Sequence, residues 1–372
     1  MERIFPEVKK KLGFGCMRLP MKLGRVDKKE FSKMIDTFIE NGFNYFDTAH
    51  GYIDGKSEKA IKVCLSDRYD RDKFLLANKL SDGFFEKQGD IEPFVRKQLE
   101  ICGVEYFDFY LMHALSAKNY PKYVNEKAIA TCFELKEKGL LRHVGMSFHD
   151  KATVLDKILA ENPELEFVQL QFNYADYDDE NVESFKCYEV CRKHNKPVIV
   201  MEPVKGGSLV KLPDKAKKIL DDLKGGSYAS YAIRFAASFE SNFMVLSGMG
   251  DMEMMNDNIS YMKDFKALTD TEMNALSEVR AVLKNLDTVP CTACRYCESG
   301  CPKNIPIPDI FTCYNDVKGF SAKNGKDNYN IVTNGKGKAS ECIECGKCEY
   351  ECPQNIEIRK HLKNIAKILE TK

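Results

Sequence analysis

Two groups of residues in this sequence have the types and spacing to do chemistry. The first is a set of cysteines. Cys291, Cys294, Cys297 and Cys301 form a C-x2-C-x2-C-x3-C-P run, and Cys342, Cys345, Cys348 and Cys352 repeat it. A cubane [4Fe–4S] cluster has four iron corners, and each takes a soft thiolate. Three cysteines in steps of three wrap one cluster through a tight turn, while a fourth before proline sits on a diverging segment. The pattern predicts two [4Fe–4S] clusters. Four-cysteine zinc is the alternative, but zinc sites pair two separated CxxC steps rather than running three together. The second group is an acid, a phenol, an amine and an imidazole: Asp47, Tyr52, Lys79 and His113. Together these can pass a proton to a carbonyl oxygen. A free tyrosine has a pKa of about 10, too weak an acid for neutral pH. A neighbouring ammonium stabilises the phenolate and is expected to lower that value. A carboxylate holds the ammonium charged and oriented, and a histidine donates a hydrogen bond that positions the substrate oxygen.

Elements that could bring the four together are legible between residues 1 and 265. Short apolar runs lie at Leu12–Met17, Phe43–Ala49, Phe74–Leu80, Tyr106–His113, Leu141–Phe148, Phe167–Asn173, Pro197–Val204 and Phe243–Met249. Helix-like stretches near 29–41, 57–66, 90–102, 125–139, 151–161, 180–194 and 227–240 separate them, and another follows near 251–263. Eight alternating units predict an α/β fold, a closed (β/α)8 TIM barrel. An open dinucleotide-binding sheet would call for GxGxxG after the first strand, and Gly13-Phe14-Gly15-Cys16-Met17-Arg18 lacks the third glycine. In a barrel, chemistry gathers at the C-terminal strand ends, which is where all four residues fall. Singly, each has a plainer reading as a helix cap, a packed phenol, a solvated amine or a structural imidazole. Their joint placement at successive strand ends is what argues for a site.

Nine of the 15 cysteines lie beyond residue 290. This density shift sets the expected organisation: barrel 1–265, helix and linker 266–290, and a small helical iron–sulfur domain 291–372. Thr269 and Glu272 have capping-box spacing, and Met273, Leu276, Val279 and Leu283 follow at helical intervals, so a helix is expected from Thr269 to Leu286. The linker is Asp287-Thr288-Val289-Pro290. Cys187 and Cys191, four apart on a predicted helix, and Cys313 are expected as core residues. The clustered methionines near 244–255 are expected in the core too, and Lys318–Lys338 as solvated loop.

The chain has 372 residues, 44% hydrophobic, with 56 Lys+Arg against 56 Asp+Glu. That apolar fraction supports a core and excludes a disordered chain. Zero net charge argues against nucleic acid as a partner, since no basic excess exists to neutralise phosphates. No apolar run approaches the ~18 residues of a membrane span. The start shows no signal-peptide core, so the cytoplasm is the expected location. Many cysteines there point to metal or redox chemistry rather than disulfides.

Phe46-Asp47-Thr48-Ala49-His50-Gly51-Tyr52, followed by Lys79 and His113, resembles the aldo-keto reductase family over about Lys11 to Ile259. The resemblance implies a (β/α)8 barrel using NADPH or NADH on a small-molecule carbonyl. It makes Tyr52 the general acid, Lys79 and Asp47 its tuning pair, and His113 the substrate-orienting group. It also implies that Ser147 and Gln169 bond the nicotinamide amide, that Gly206 and Gly207 admit a pyrophosphate, and that Asn258 lies near the adenine. Four positions depart from the family pattern. Phe148 replaces an asparagine, Glu202 replaces an aromatic that stacks on nicotinamide, and Gly248 and Met254 stand where a lysine and an arginine often grip a 2′-phosphate.

The C-terminal part resembles a two-cluster ferredoxin domain, with a spacer of about 40 residues that a helical insertion would fill. Crossed ligation is the rule for such domains. It assigns Cys291, Cys294, Cys297 and Cys352 to one cluster and Cys342, Cys345, Cys348 and Cys301 to the other; uncrossed pairing stays open. The whole then resembles the ferredoxin-bearing subgroup of that reductase family. The expected function is carbonyl reduction by hydride, with clusters for electron transfer or sensing and a possible redox partner protein. The alternative is an iron–sulfur electron-transfer protein whose barrel docks a partner or uses cluster electrons on another substrate. Nicotinamide moves two electrons as hydride and a cubane moves one, and no flavin motif is visible to convert between them.

Overall fold

The computed structural model describes residues 4–319 and 322–370. Eight parallel strands fall on the eight apolar runs: β1 (Leu12–Gly15), β2 (Tyr45–Asp47), β3 (Leu75–Leu80), β4 (Phe107–Leu115), β5 (Leu141–Phe148), β6 (Val168–Gln171), β7 (Val198–Met201) and β8 (Asn242–Ser247). They pair in sequence order and close β8 on β1. The interior is filled by alternate side chains, among them Tyr45, Phe109, Phe167, Ile199, Met244 and Leu246. The first crossover helix, Lys28–Glu40, shows how such an element is specified. Asp27 caps it by accepting from the Glu30 amide at 3.1 Å, and Phe31, Met34, Ile35 and Phe38 recur on one buried face. Each such burial contributes roughly 1.5–3 kcal/mol. A small hairpin, Met21–Lys22 with Arg25–Val26, follows β1 outside the barrel and has no counterpart in the sequence reading. No helix among the described residues is long and apolar enough to cross a membrane.

By internal packing the chain divides into two compact units. One holds the chain as far as Pro203 together with Ala229–Thr269, and the other holds Val204–Tyr228 together with Asp270 onward. The excursion 204–228 therefore leaves the barrel's sequence to pack with the C-terminal unit, where its helix Asp214–Asp221 lies along the helix Asp270–Lys284. That unit has its own core, which includes Val289, Ile307, Phe311, Tyr329, Ile358 and Leu362. Val289, in the short linker, is fixed by a two-way bond: its amide donates to Asn315 Oδ1 at 2.7 Å, and Asn315 Nδ2 donates back to its carbonyl at 2.8 Å.

The spacer between the cysteine runs is helical over Ile307–Gly319 and Ala322–Val332. This agrees with the helical insertion expected in the spacer and corrects the expectation of solvated loop for Lys318–Lys338 as far as Val332; Phe320 and Ser321 lie outside the described residues. The polar composition hid the packing face. Gly325 lets the two helices approach, since a Cβ there would lie 2.6 Å from the Cys313 carbonyl oxygen. Tyr329, on the second of them, is buried and donates to Glu370 at 2.5 Å. Cys313, Cys187 and Cys191 are all buried, as expected. Of the methionines, Met244, Met249 and Met255 are buried, while Met254 is exposed.

Within the C-terminal unit, Gly206 has φ +64 and would place a Cβ 2.1 Å from the Thr292 carbonyl oxygen, inside the first cysteine run. Gly206→Ala must both strain a left-handed residue and push that backbone away. We expect a loss of at least about 2 kcal/mol. Faster bleaching of cluster absorbance in urea than in wild type would report it; equal rates would refute it.

Candidate active site and cluster motifs

The strand ends bring Asp47, Tyr52, Lys79 and His113 into one group. Asp47 ends β2 and Lys79 lies near the end of β3; both are almost fully buried. Lys79 Nζ donates to Asp47 Oδ1 at 2.7 Å and to the Thr48 carbonyl at 2.8 Å. The same ammonium lies 4.8 Å from the centre of the Tyr52 ring. The His113 ring stands edge-on to Tyr52 at 6.2 Å between centroids.

Local backbone explains how the two rings are aimed. Tyr52 follows a turn in which its amide donates to Ala49 at 3.0 Å, and Ile53 and Asp54 then adopt φ +52 and +53 before Gly55 starts the next helix. A β-branched residue in that region is strained by roughly 1–3 kcal/mol. Beside His113, the pairing of β4 with β5 slips between Met112 and Leu115, and Ala114 has φ +54. Such a bulge re-aims a side chain next to a site. Ala114's amide donates to Ser147 Oγ at 2.7 Å, and Tyr123 donates to the His113 carbonyl at 3.1 Å, so the bulge is held on both sides.

The titration of the group differs from the sequence expectation. Burial, then the Asp47 and Glu202 carboxylates, hold the Tyr52 phenol well above its ordinary value. The shift is upward even though the Lys79 ammonium lies near the ring. Burial also raises the Asp47 carboxyl, with Lys79 pulling against the shift. Burial first, then Lys79 and His149, keeps His113 well below the ordinary imidazole range, so its ring is neutral.

The expected nicotinamide contacts lie on adjoining strands. Ser147 on β5 and Gln169 on β6 are register partners, and both are buried. Gln169 Oε1 has no hydrogen-bond partner among the described residues, so it suits an incoming amide N–H. Asn258 is buried, donates to Ser247 at 2.7 Å and accepts from Tyr261 at 2.5 Å. Glu202 follows β7 with φ +56 and lies 4.0 Å from Arg18. The stem of Arg18 lies over Gly248. In the other unit, the space at Gly206 is taken by Thr292, while Gly207 faces open space.

The cysteines form two groups. Cys291, Cys294, Cys297 and Cys352 line one cavity with Ile307, Phe311 and Ile358. Cys301, Cys342, Cys345 and Cys348 line a second with Ile305, Ile307 and Leu362. Burial and the neighbouring Cys294, Cys291 and Cys352 hold up the Cys297 thiol. Among the described residues no three His, Cys, Asp or Glu side chains converge as one ion would require. A cubane asks for less convergence, since each thiolate meets its own iron. Four cysteines around an apolar cavity fit that group.

Residues 11–281 match the model of the aldo/keto reductase family. The chain belongs to the aldo/keto reductase family. Residues 290–357 match a 4Fe-4S dicluster domain, so this family member carries an iron–sulfur domain after its barrel. It is 26% identical over 231 residues to the uncharacterized oxidoreductase YqkF of Bacillus subtilis, covering 59% of this chain and 69% of that one. Its match to norsolorinic acid reductase B of Dothistroma septosporum is 34% identical over 67 residues, covering 18% of this chain and 17% of that protein. Among solved structures, the aldo-keto reductase AKR11C1 of Bacillus halodurans superposes with TM-score 0.59 at 22% identity, covering 73% of this chain and 92% of that one. A Klebsiella pneumoniae aldo/keto reductase in complex with NADP and acetate gives TM-score 0.59 at 17% identity, covering 73% and 91%. These likenesses show the fold.

The sequence reading missed several mouth residues of this reductase. Ser81 bonds His113 Nδ1 at 2.5 Å. His149, just past β5, is close enough to disfavour charge on His113, and burial pulls its own pKa down to about 4. Buried Glu58 bonds His50 Nδ1 at 2.6 Å and accepts from Asn78 at 2.8 Å. His149 directly follows Ser147-Phe148, and position alone could have flagged it. Ser81 and Glu58 carry no such signal.

Proposed function

We propose that this chain reduces aldehydes or ketones with NADPH or NADH, with Tyr52 as proton donor, and that its C-terminal unit holds two [4Fe–4S] clusters by crossed ligation. One observation carries the first part: a buried ammonium bridges a carboxylate at 2.7 Å and a phenol ring at 4.8 Å, with a neutral imidazole beside the same phenol. The family membership and the NADP held by the Klebsiella structure support the choice of cofactor. Ser147 and Gln169 are the residues to hold its amide, and when bound the nicotinamide supplies a hydride to the carbonyl carbon. Tyr52 gives its proton to the carbonyl oxygen, and the product is the alcohol. The phenol keeps that proton until substrate arrives, because burial and the facing carboxylates disfavour phenolate. Lys79 then offsets the charge left behind. With Ser81 donating to Nδ1, neutral His113 carries its proton on Nε2, where the substrate oxygen can accept a hydrogen bond.

The clusters serve electron transfer or sensing, with a redox protein as partner, in the reducing cytoplasm that keeps thiols free. Crossed ligation has a direct test. Cys291→Ser with Cys352→Ser removes ligands from one cluster under crossed pairing and should leave about four irons per chain. Cys291→Ser with Cys301→Ser should lose both clusters. The reverse result would establish uncrossed pairing.

The activity is tested on anaerobic, cluster-loaded protein with NADPH or NADH and benzaldehyde, following nicotinamide absorbance. Turnover that disappears in Tyr52→Phe supports the reading. No oxidation with any simple aldehyde or ketone sinks it and leaves electron transfer to a partner.

A further inference from the structure

A further cavity opens at the opposite end of the barrel from the catalytic group. It lies where Lys11 leads into β1, Pro197 into β7 and Ser241 into β8, and has a volume of about 860 Å3. Pockets for drug-sized molecules run about 300–1,000 Å3. Every residue around it belongs to the barrel unit. Six cations line it, Lys9, Lys10, Lys11, Arg192, Lys196 and Lys263, against the single carboxylate of Glu240. The chain as a whole has zero net charge, so this excess is a local arrangement.

The cations are partly compensated: Glu240 acts on Lys11 and Arg192, and Glu164 and Glu166, outside the lining, act on Lys196. Arg192 bonds Glu189 at 3.1 Å. The lysines bond neutral oxygens instead: Lys10 the carbonyl of Lys263 at 2.8 Å, Lys11 that of Ala237 at 3.2 Å, and Lys196 that of Pro163 at 2.6 Å. Lys263 bonds the side-chain oxygen of Asn41 at 3.0 Å. These neutral acceptors take N–H groups without adding a countercharge, and no lysine of the set has an ion pair within 4 Å among the described residues. Burial pulls the Lys11 ammonium below its ordinary range, with Glu240 acting the other way. An anion in the cavity would offset that penalty. The walls are also apolar. Phe5 lies 4.8 Å from Phe243, and the Lys11 ammonium sits 5.6 Å from the centre of the Phe265 ring.

We propose that this cavity binds an organic anion that carries at least two negative charges beside an apolar body. The cations take the charged end and the phenylalanines take the rest. At the N-terminal strand ends it is separate from the catalytic group, and it does not depend on the reductase reading.

The probe is 1-naphthyl phosphate, titrated calorimetrically into the full, cluster-loaded chain at pH 8 and low salt. Inorganic phosphate and 1-naphthol are its two halves. We expect saturable binding at least tenfold tighter than either half, weakening as salt is raised. Lys9 and Lys263 are exposed, so Lys9→Glu with Lys263→Glu should fold as wild type by circular dichroism and lose at least tenfold in affinity. The milder Lys9→Gln with Lys263→Gln should fall between. Absence of saturable binding, or affinity unchanged in both double variants, overturns the proposal; the second result would put the probe elsewhere, for instance at the mouth.

Discussion

On the proposed function, Tyr52→Phe should lower kcat for nicotinamide-dependent carbonyl reduction by about 10²–10⁴-fold, the range general acid catalysis contributes. The cofactor KM stays within about twofold, because the phenol acts on the carbonyl oxygen and not on the nicotinamide. Stopped-flow or steady-state absorbance under anaerobic conditions measures both. The pH profile of wild type follows from the same environment. The proposed reduction needs Tyr52 protonated and His113 neutral. Burial raises the phenol's pKa and lowers the imidazole's, so both conditions hold across neutrality. We expect kcat to be flat from about pH 6 to 9, with no inflection near the ordinary imidazole value of about 6.5. A limb at that pH would mean that His113 is solvated, and the mechanism would lose its neutral donor.

Lys79→Met should cost about 3–5 kcal/mol in barrel stability, since it strands Asp47 as a buried carboxylate without its cation. Denaturant unfolding of the cluster-loaded protein reads the loss. Its pH dependence is the sharper test. With the ammonium gone, the folded state holds the Asp47 proton more tightly than the unfolded state does. It then binds more protons, so the deficit grows as pH rises above about 4. Asp47→Asn with Lys79→Met removes both charges and should recover most of the stability while remaining inactive. If the double variant is no more stable than the single, the pair is not what the lysine supports.

The barrel was legible because each strand is a short apolar run and each helix has a periodic face. The same runs put Asp47, Lys79 and His113 at strand ends, and the cysteine spacing marked its own domain. What escaped the sequence depends on distant contacts. Nothing in residues 204–228 announces that they pack with the C-terminal unit. A helical insertion was expected in the spacer, but the packed face of Ala322–Val332 was hidden in a polar stretch until Gly325 met the Cys313 backbone. The Tyr52 shift was expected downward because the lysine was counted and the burial was not. Ser81, which holds His113, is an ordinary serine until β3 and β4 are side by side.

Ile307 lines both cysteine cavities. Two clusters held there would both lie against this one aliphatic side chain. The charges would feel each other through a low-dielectric spacer, so reducing one cluster makes the second harder to reduce. The C-terminal unit would then behave as a single store that fills in two unequal steps. Reductive titration should give two separated one-electron potentials, and a polar residue in place of Ile307 should draw them together.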